Sequence, residues 1–321
     1  MQRRALGGSG IEISRLVLGC GNFGGIGSAP AFFGRGESRE EAFAIMDAAW
    51  EHGITTFDTA DAYGGGRSET WIGEWRRQKG PEVRDRLLLS TKVFHSVEGD
   101  PGDQGLAPER IRRQLEGSLR RLGVERVDMY LTHAPDPDTP LADTLGVLGE
   151  LVHEGKARAV GGSNLDGAVL RESLTGPTRY AWVQNSYSLL DREAEQEVLP
   201  ICAAEGLGFT PFSPLAGGWL TGKYRRGEAA APGSRMTQRP EPYLHLDDER
   251  VYRGLEELEG RAAERETSTA ALAIAWLLGD ERVTAVVLGP RRPEHLEPGI
   301  AALELNLTAA ERSELGSLFP A

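Results

Sequence analysis

Cysteine is scarce in this chain, with only Cys20 and Cys202 among 321 residues. Two thiols are too few for a disulfide framework or a cysteine metal site, so reduced thiols in a cytosol are the simplest reading and no metal is expected. Long apolar runs are missing too. Nothing approaches the roughly 20 consecutive apolar residues that span a bilayer, and Met1-Gln2-Arg3-Arg4 leads into Gly7-Gly8-Ser9-Gly10 rather than into an apolar leader. A cytoplasmic protein with no membrane partner is the expectation. Basic charge is also short: 36 Lys and Arg against 48 Asp and Glu give a formal net charge of −12. That balance argues against nucleic acid as a partner, because phosphate backbones are held by cationic excess. A local basic pocket for one small anion remains compatible with it.

What is present is rhythm. Hydrophobic residues make up 40% of the chain, enough for a large core. Strand-like runs at 16–19, 55–58, 87–91, 129–133, 157–161, 181–185, 208–212 and 284–288 alternate with helix-like segments. Eight strands each followed by a helix is the count of a parallel (β/α)8 TIM barrel in the α/β class. Helix starts are marked by caps, as at Ser38-Arg39-Glu40-Glu41, and helix ends by glycine, as at Gly53 and Gly206. An N-terminal hairpin is predicted over 4–13, with glycines at its turn. The stretch 215–248 after the seventh strand is a long loop rich in Gly, Pro, Ala and Arg, of the kind that is usually functional or disordered. Two helices are expected at 249–266 and 269–278, and an extra C-terminal helix at 307–318. No repeat, low-complexity tract or linker interrupts the chain, so residues 1–321 read as a single domain.

Two motifs invite misreading. Gly19-Cys20-Gly21-Asn22-Phe23-Gly24 fits a dinucleotide fingerprint, but its helix starts only near Ser38 instead of opening on the motif, so this is no Rossmann turn. Gly217-Gly218-Trp219-Leu220-Thr221-Gly222-Lys223 approaches a phosphate-binding P-loop until Tyr224 stands where a magnesium-binding Ser or Thr belongs. Both glycine clusters fit a backbone that lets a ligand come close.

Four polar residues fall at or just beyond strand C-termini: Asp58, Tyr63 in the loop after it, Lys92 and His133. In a parallel barrel they share one rim, which is where such barrels place their chemistry. A phenol with an ordinary pKa of about 10 holds its proton too tightly to give it up readily, and an adjacent ammonium would lower that value. Lys92 can therefore tune Tyr63, Asp58 can hold Lys92 as an ion pair, and His133 can orient a carbonyl oxygen and share the proton.

The local sequences resemble the aldo-keto reductase superfamily over nearly the whole chain. Asp58-Thr59-Ala60-Asp61-Ala62-Tyr63-Gly64, Ser90-Thr91-Lys92 and Asp128-Met129-Tyr130-Leu131-Thr132-His133 are similar to its signatures of strands two, three and four. Gly161-Gly162-Ser163-Asn164, Phe212-Ser213-Pro214-Leu215 and Leu220-Thr221-Gly222-Lys223-Tyr224 are similar to its cofactor segments, most of all in the bacterial and potassium-channel β-subunit branch. The resemblance implies reduction of an aldehyde or ketone to an alcohol, with hydride from a nicotinamide cofactor and the proton from Tyr63.

It further implies that Ser163, Asn164 and Gln184 bind the carboxamide and that Phe212 stacks on the ring, where Tyr or Trp is more frequent. Gly21 and Asn22 would lie along the cofactor. Ser213, Pro214, Leu215, Gly217, Leu220 and Lys223 would wrap the pyrophosphate, with Arg235 reaching a phosphate. Gly289, Arg291 and His295 follow strand eight at a helix start, and the arginines favour the 2′-phosphate of NADPH over NADH. The sequence departs from the family pattern at His295, Pro298 and Gly299, on the adenine side.

Phe23, Phe32, Phe33, Phe94, Trp219 and the loop around Tyr187 are expected to form an apolar mouth suited to aromatic or medium-sized aliphatic aldehydes and ketones, with some of these residues in the core. Two other classes fit part of the pattern. A class I aldolase would use Lys92 as a Schiff base and need neither Tyr63 nor the cofactor loop. A redox regulator like the channel β-subunits would bind cofactor and turn over slowly. The oligomeric state is not encoded in any of these features.

Overall fold

The computed structural model describes residues 1–319. Strands β1 (Arg3–Ala5) and β2 (Glu12–Ser14) pair antiparallel around a 3₁₀ turn at Gly7–Ser9. Gly7 takes a φ of 52°, and a Cβ there would lie 2.4 Å from the Ala181 carbonyl oxygen, so only glycine lets the turn press against the strand ends. Leu6, Ile11 and Ile13 of this hairpin are buried against Val17, Met129, Trp182 and Val287. The hairpin thus closes the N-terminal end of the sheet and leaves the C-terminal end open.

Eight parallel strands follow: β3 (Leu16–Gly19), β4 (Thr56–Asp58), β5 (Leu88–Val93), β6 (Val127–Thr132), β7 (Ala157–Ser163), β8 (Trp182–Gln184), β9 (Gly208–Phe209) and β10 (Val286–Leu288). They are joined in the order β10-β3-β4-β5-β6-β7-β8-β9. Strand alternation divides the core in two. Met129 and Leu131 of β6 point to the inner cluster, and Tyr130 between them points to the larger outer cluster beneath the helices.

The ring closes between β9 and β10 without a regular ladder. Thr284 N donates to Phe209 O at 2.8 Å and Val287 N to Pro211 O at 2.9 Å, and Phe209 N reaches Thr284 Oγ1 at 3.1 Å. The seventh strand was expected to run to 212, but Pro211 has no N–H to add to a ladder and the regular strand stops at Phe209. The eighth begins at Val286 instead of 284 for the same reason.

The capping boxes predicted at Ser38 and Thr308 form: each side chain accepts from the backbone of Glu41 or Glu311, whose carboxylate returns the bond. They open helices Arg39–Glu51 and Ala309–Ser317. The long loop carries a 3₁₀ segment at Ala216–Thr221, a turn of helix at Arg235–Gln238 and another 3₁₀ segment at Glu241–Leu246. Helices Glu249–Glu264 and Thr269–Leu278 come after it. Among the described residues no helix is long and apolar enough to cross a membrane.

Candidate active site

Asp58 ends β4, Lys92 lies one residue before the end of β5, and His133 directly follows β6. Parallel pairing brings these ends side by side, and the turn beyond β4, in which Tyr63 N bonds Ala60 O at 3.2 Å, swings the phenol over them. Lys92 is 1% exposed. Its Nζ donates to Asp58 Oδ2 at 2.5 Å, to Thr59 O at 2.9 Å and to the Tyr63 hydroxyl oxygen at 3.4 Å, so all three ammonium protons are directed. Asp58 is braced in turn by Ser90 Oγ at 2.8 Å and Gln184 Nε2 at 3.2 Å on its other oxygen. The Tyr63 hydroxyl also lies 3.4 Å from His133 Nε2. The structure therefore brings the four residues into one contiguous cluster.

Burial disfavours the Lys92 ammonium, but Asp58 and Tyr63 outweigh it and hold its pKa above the ordinary value. Tyr63 departs from expectation. Burial raises the phenol above its ordinary value, Asp58 adds to that, and Lys92 only offsets part of it. The resting phenol keeps its proton, and the ammonium acts by stabilising phenolate as it forms. His133 is pushed well below the usual imidazole range by burial, with Lys92 and His95 adding to the effect. This favours the neutral ring, which can donate one hydrogen bond.

The cluster opens into a cavity of about 830 Å³. Of the residues assigned to a cofactor, Gly21, Asn22, Ser163, Asn164, Gln184 and Phe212 line it, as do Ser213, Arg235 and Gly289. Ser163 Oγ donates to Gln184 O at 2.7 Å, and Asn164 Nδ2 donates to His133 O at 2.8 Å, so this wall is tied to the backbone of His133. Pro214, Leu215, Gly217, Leu220, Lys223, Arg291 and His295 stand outside the lining. Leu220 is fully buried in the core, leaving its backbone as its only means of contact. Lys223 packs over Gly218, and His295 Nδ1 accepts from Arg291 N at 3.2 Å.

Backbone strain gathers here. Non-glycine residues with left-handed φ are Asn164 at 56°, Ser213 at 54°, Ala216 at 46° and Glu266 at 52° among the described residues, and the first three line the cavity. Strain of this kind costs about 1–3 kcal/mol each and persists at ligand clamps. Arg235 lines the same cavity and Lys223 lies beside it, and neither has a carboxylate partner within salt-bridge distance among the described residues. Directed amides, strained loops and two unpaired cations fit a nicotinamide dinucleotide.

The loop around Tyr187 lines the cavity through Ser186, Ser188, Leu190 and Asp191, but the aromatics named with it do not. Phe23, Trp219 and Tyr187 are core residues, and neither they nor Phe32, Phe33 and Phe94 line the cavity. Its lining carries Ala29, Pro30, Pro101, Leu190, Pro242, Tyr243 and Leu246 beside the polar His95, Ser96, Gln104, Asp191, Arg239 and His245. Residue type alone did not reveal which side of each loop its aromatic would face. Sequence reading also missed the bracing role of Ser90, although the Ser90-Thr91-Lys92 spacing puts both end residues on the inner face of one strand.

A parallel eight-stranded barrel with this cluster beside a nucleotide-fitting cavity is an NAD(P)H-dependent oxidoreductase. The chain belongs to the aldo/keto reductase family, whose pattern it matches over residues 15–318. It is 35% identical to the uncharacterized oxidoreductase YrpG of Bacillus subtilis, covering 100% of this chain and 96% of the relative. Identity to an NADH-specific methylglyoxal reductase of Escherichia coli is 33%, over 97% of this chain and 96% of that one. A probable voltage-gated potassium channel subunit beta from rice is 33% identical, over 95% and 92% of the two chains.

Proposed function

We propose that residues 1–321 form one catalytic domain that reduces an aldehyde or ketone to an alcohol, with Tyr63 as proton donor. The observation that carries this is the Tyr63 hydroxyl at 3.4 Å from both Lys92 Nζ and His133 Nε2. A dihydronicotinamide held here would supply hydride to the carbonyl carbon. Ser163, Asn164 and Gln184 would hold its carboxamide, and Phe212 would pack against its ring. The neutral His133 donates to the carbonyl oxygen and fixes its direction. Tyr63 passes its proton to that oxygen as negative charge grows there, and Lys92, anchored by Asp58, stabilises the phenolate left behind.

The same geometry disfavours an aldolase. An amine with all three protons bonded, and a pKa held above its ordinary value, has no free lone pair for a Schiff base. The mixed apolar and polar lining is compatible with the aromatic or aliphatic carbonyls first expected as well as with smaller ones, and methylglyoxal is a reasonable first probe given the name of the Escherichia coli relative. NADPH is supported by the unpaired Lys223 and Arg235. A cytoplasmic location is supported by two buried, unbridged cysteines.

The test is cofactor oxidation with a panel of polar and aromatic aldehydes, alongside Tyr63→Phe. Loss of the proton donor should lower kcat by about 10²–10⁴-fold, while quenching of tryptophan fluorescence shows cofactor binding unchanged. Full turnover in the variant would remove Tyr63 from the reaction.

A further inference from the structure

Glu37 is the residue that the reaction leaves unexplained. It precedes the Ser38 cap, and its backbone is clamped on both sides, with Glu37 N on Asn22 O at 2.9 Å and Gly24 N on Glu37 O at 3.0 Å. Gly36 before it has no room for a side chain, because a Cβ there would lie 2.0 Å from Asn22 O. The Glu37 carboxylate is buried, 4% exposed as a residue, and is directed inward. One oxygen accepts from Arg291 Nε at 2.6 Å, and the other is buried with no partner. Arg291 Nη1 also donates a hydrogen bond to Gly233 O, so its guanidinium is committed on two sides. Lys223 and Arg235 both lie within reach of the Arg291 charge, and Glu37 is within reach of Arg235.

A buried carboxylate with one oxygen unsatisfied is costly, and a merely structural loop could do without it. Its effect on the neighbouring guanidinium is specific. Arg291 is the side chain read above as facing the 2′ position of the adenosine ribose, and this inference rests on that reading. Paired to Glu37, Arg291 brings no net charge to that position. A 2′-phosphate drawn toward it must also approach a carboxylate, whereas a 2′-hydroxyl brings no charge and is a hydrogen-bond donor to a carboxylate oxygen. We infer that Glu37 is a specificity-determining residue that shifts cofactor selection away from NADPH and toward NADH, against the preference that the arginines alone would set.

The experiment measures dissociation constants for NADPH and NADH by tryptophan quenching or calorimetry in the wild type, Glu37→Gln and Arg291→Gln, with no carbonyl substrate present. Glu37→Gln keeps the shape and removes the charge. It should tighten NADPH by about tenfold while NADH changes by less than about threefold, a ratio that corresponds to about 1.4 kcal/mol per decade. Arg291→Gln leaves the carboxylate without its counter-charge and should move the ratio in the opposite direction, weakening NADPH more than NADH. Equal shifts for both nucleotides in Glu37→Gln, with a lower Tm, would show a purely structural residue and overturn the inference alone. Absence of binding by either nucleotide to any of the three proteins would overturn the cofactor reading together with it.

Discussion

Asp61 is the side chain most at odds with its surroundings. It is fully buried, and neither carboxylate oxygen has a hydrogen-bond partner. Burial first and Glu69 second push its carboxyl well above the ordinary value, with Arg110 and Arg121 only partly opposing them. A carboxyl whose folded pKa lies above its unfolded value stabilises the fold fully at pH below the unfolded value, and that contribution is lost as pH rises through the folded one. At neutral pH and above the group therefore works against folding. Asp61→Asn is expected to raise stability by on the order of 1–3 kcal/mol at pH 8, with the gain shrinking as melts are taken toward pH 4, and thermal denaturation at both pH values checks it. A gain that does not depend on pH would mean that the carboxyl is not the cause. Asp61 also marks the limit of reading residues from sequence. It sits between Asp58 and Tyr63 in one short motif, and only the turn geometry decides that its neighbours face the rim while it faces inward. The contiguity of Asp58, Tyr63, Lys92 and His133, the cluster proposed as catalytic, was legible because strand ends can be located from sequence, whereas Glu37 and Arg291 lie 254 residues apart and nothing local to either announces the pair.

Among elements, the long connection after β9 holds the greatest gap between sequence and structure. Its length and composition marked it as functional or disordered, yet neither its three helical turns nor the way it packs could be read from Gly, Pro and Arg content. Gly217 and Gly218 have φ values of 66° and 97°, and the ring of Tyr243 packs so close that a Cβ on Gly217 would lie 2.6 Å from its Cε2. Tyr243 lines the cavity, so this contact shapes the wall where the pyrophosphate is proposed to bind. Gly217→Ala combines left-handed strain with that clash. It should weaken cofactor binding by about tenfold, equivalent to about 1.4 kcal/mol, and leave the melting of the barrel nearly unchanged because the segment lies outside the sheet. A titration of cofactor into the variant, beside its melting curve, separates the two. A large fall in Tm would instead tie the loop to the core.

On the scale of the whole molecule, eight strand-like runs made the barrel legible, but its closure was not. Seven of the strand junctions are regular parallel ladders. The eighth depends on Thr284 and Val287 amides, opposite a segment in which Pro211 offers no proton. Amide hydrogen exchange should therefore be faster at Thr284 and Val287 than at the β5, β6 and β7 amides, since local opening follows the weakest pairing. Uniform protection around all eight strands would contradict this. The same junction leads directly into Phe212 and Ser213, so whatever occupies the cavity also fastens the barrel where it is most loosely joined. Free energy gained in binding then appears as mechanical closure of the ring, and a rise in melting temperature with added dinucleotide becomes a gauge of how firmly the two edges of the sheet are held together.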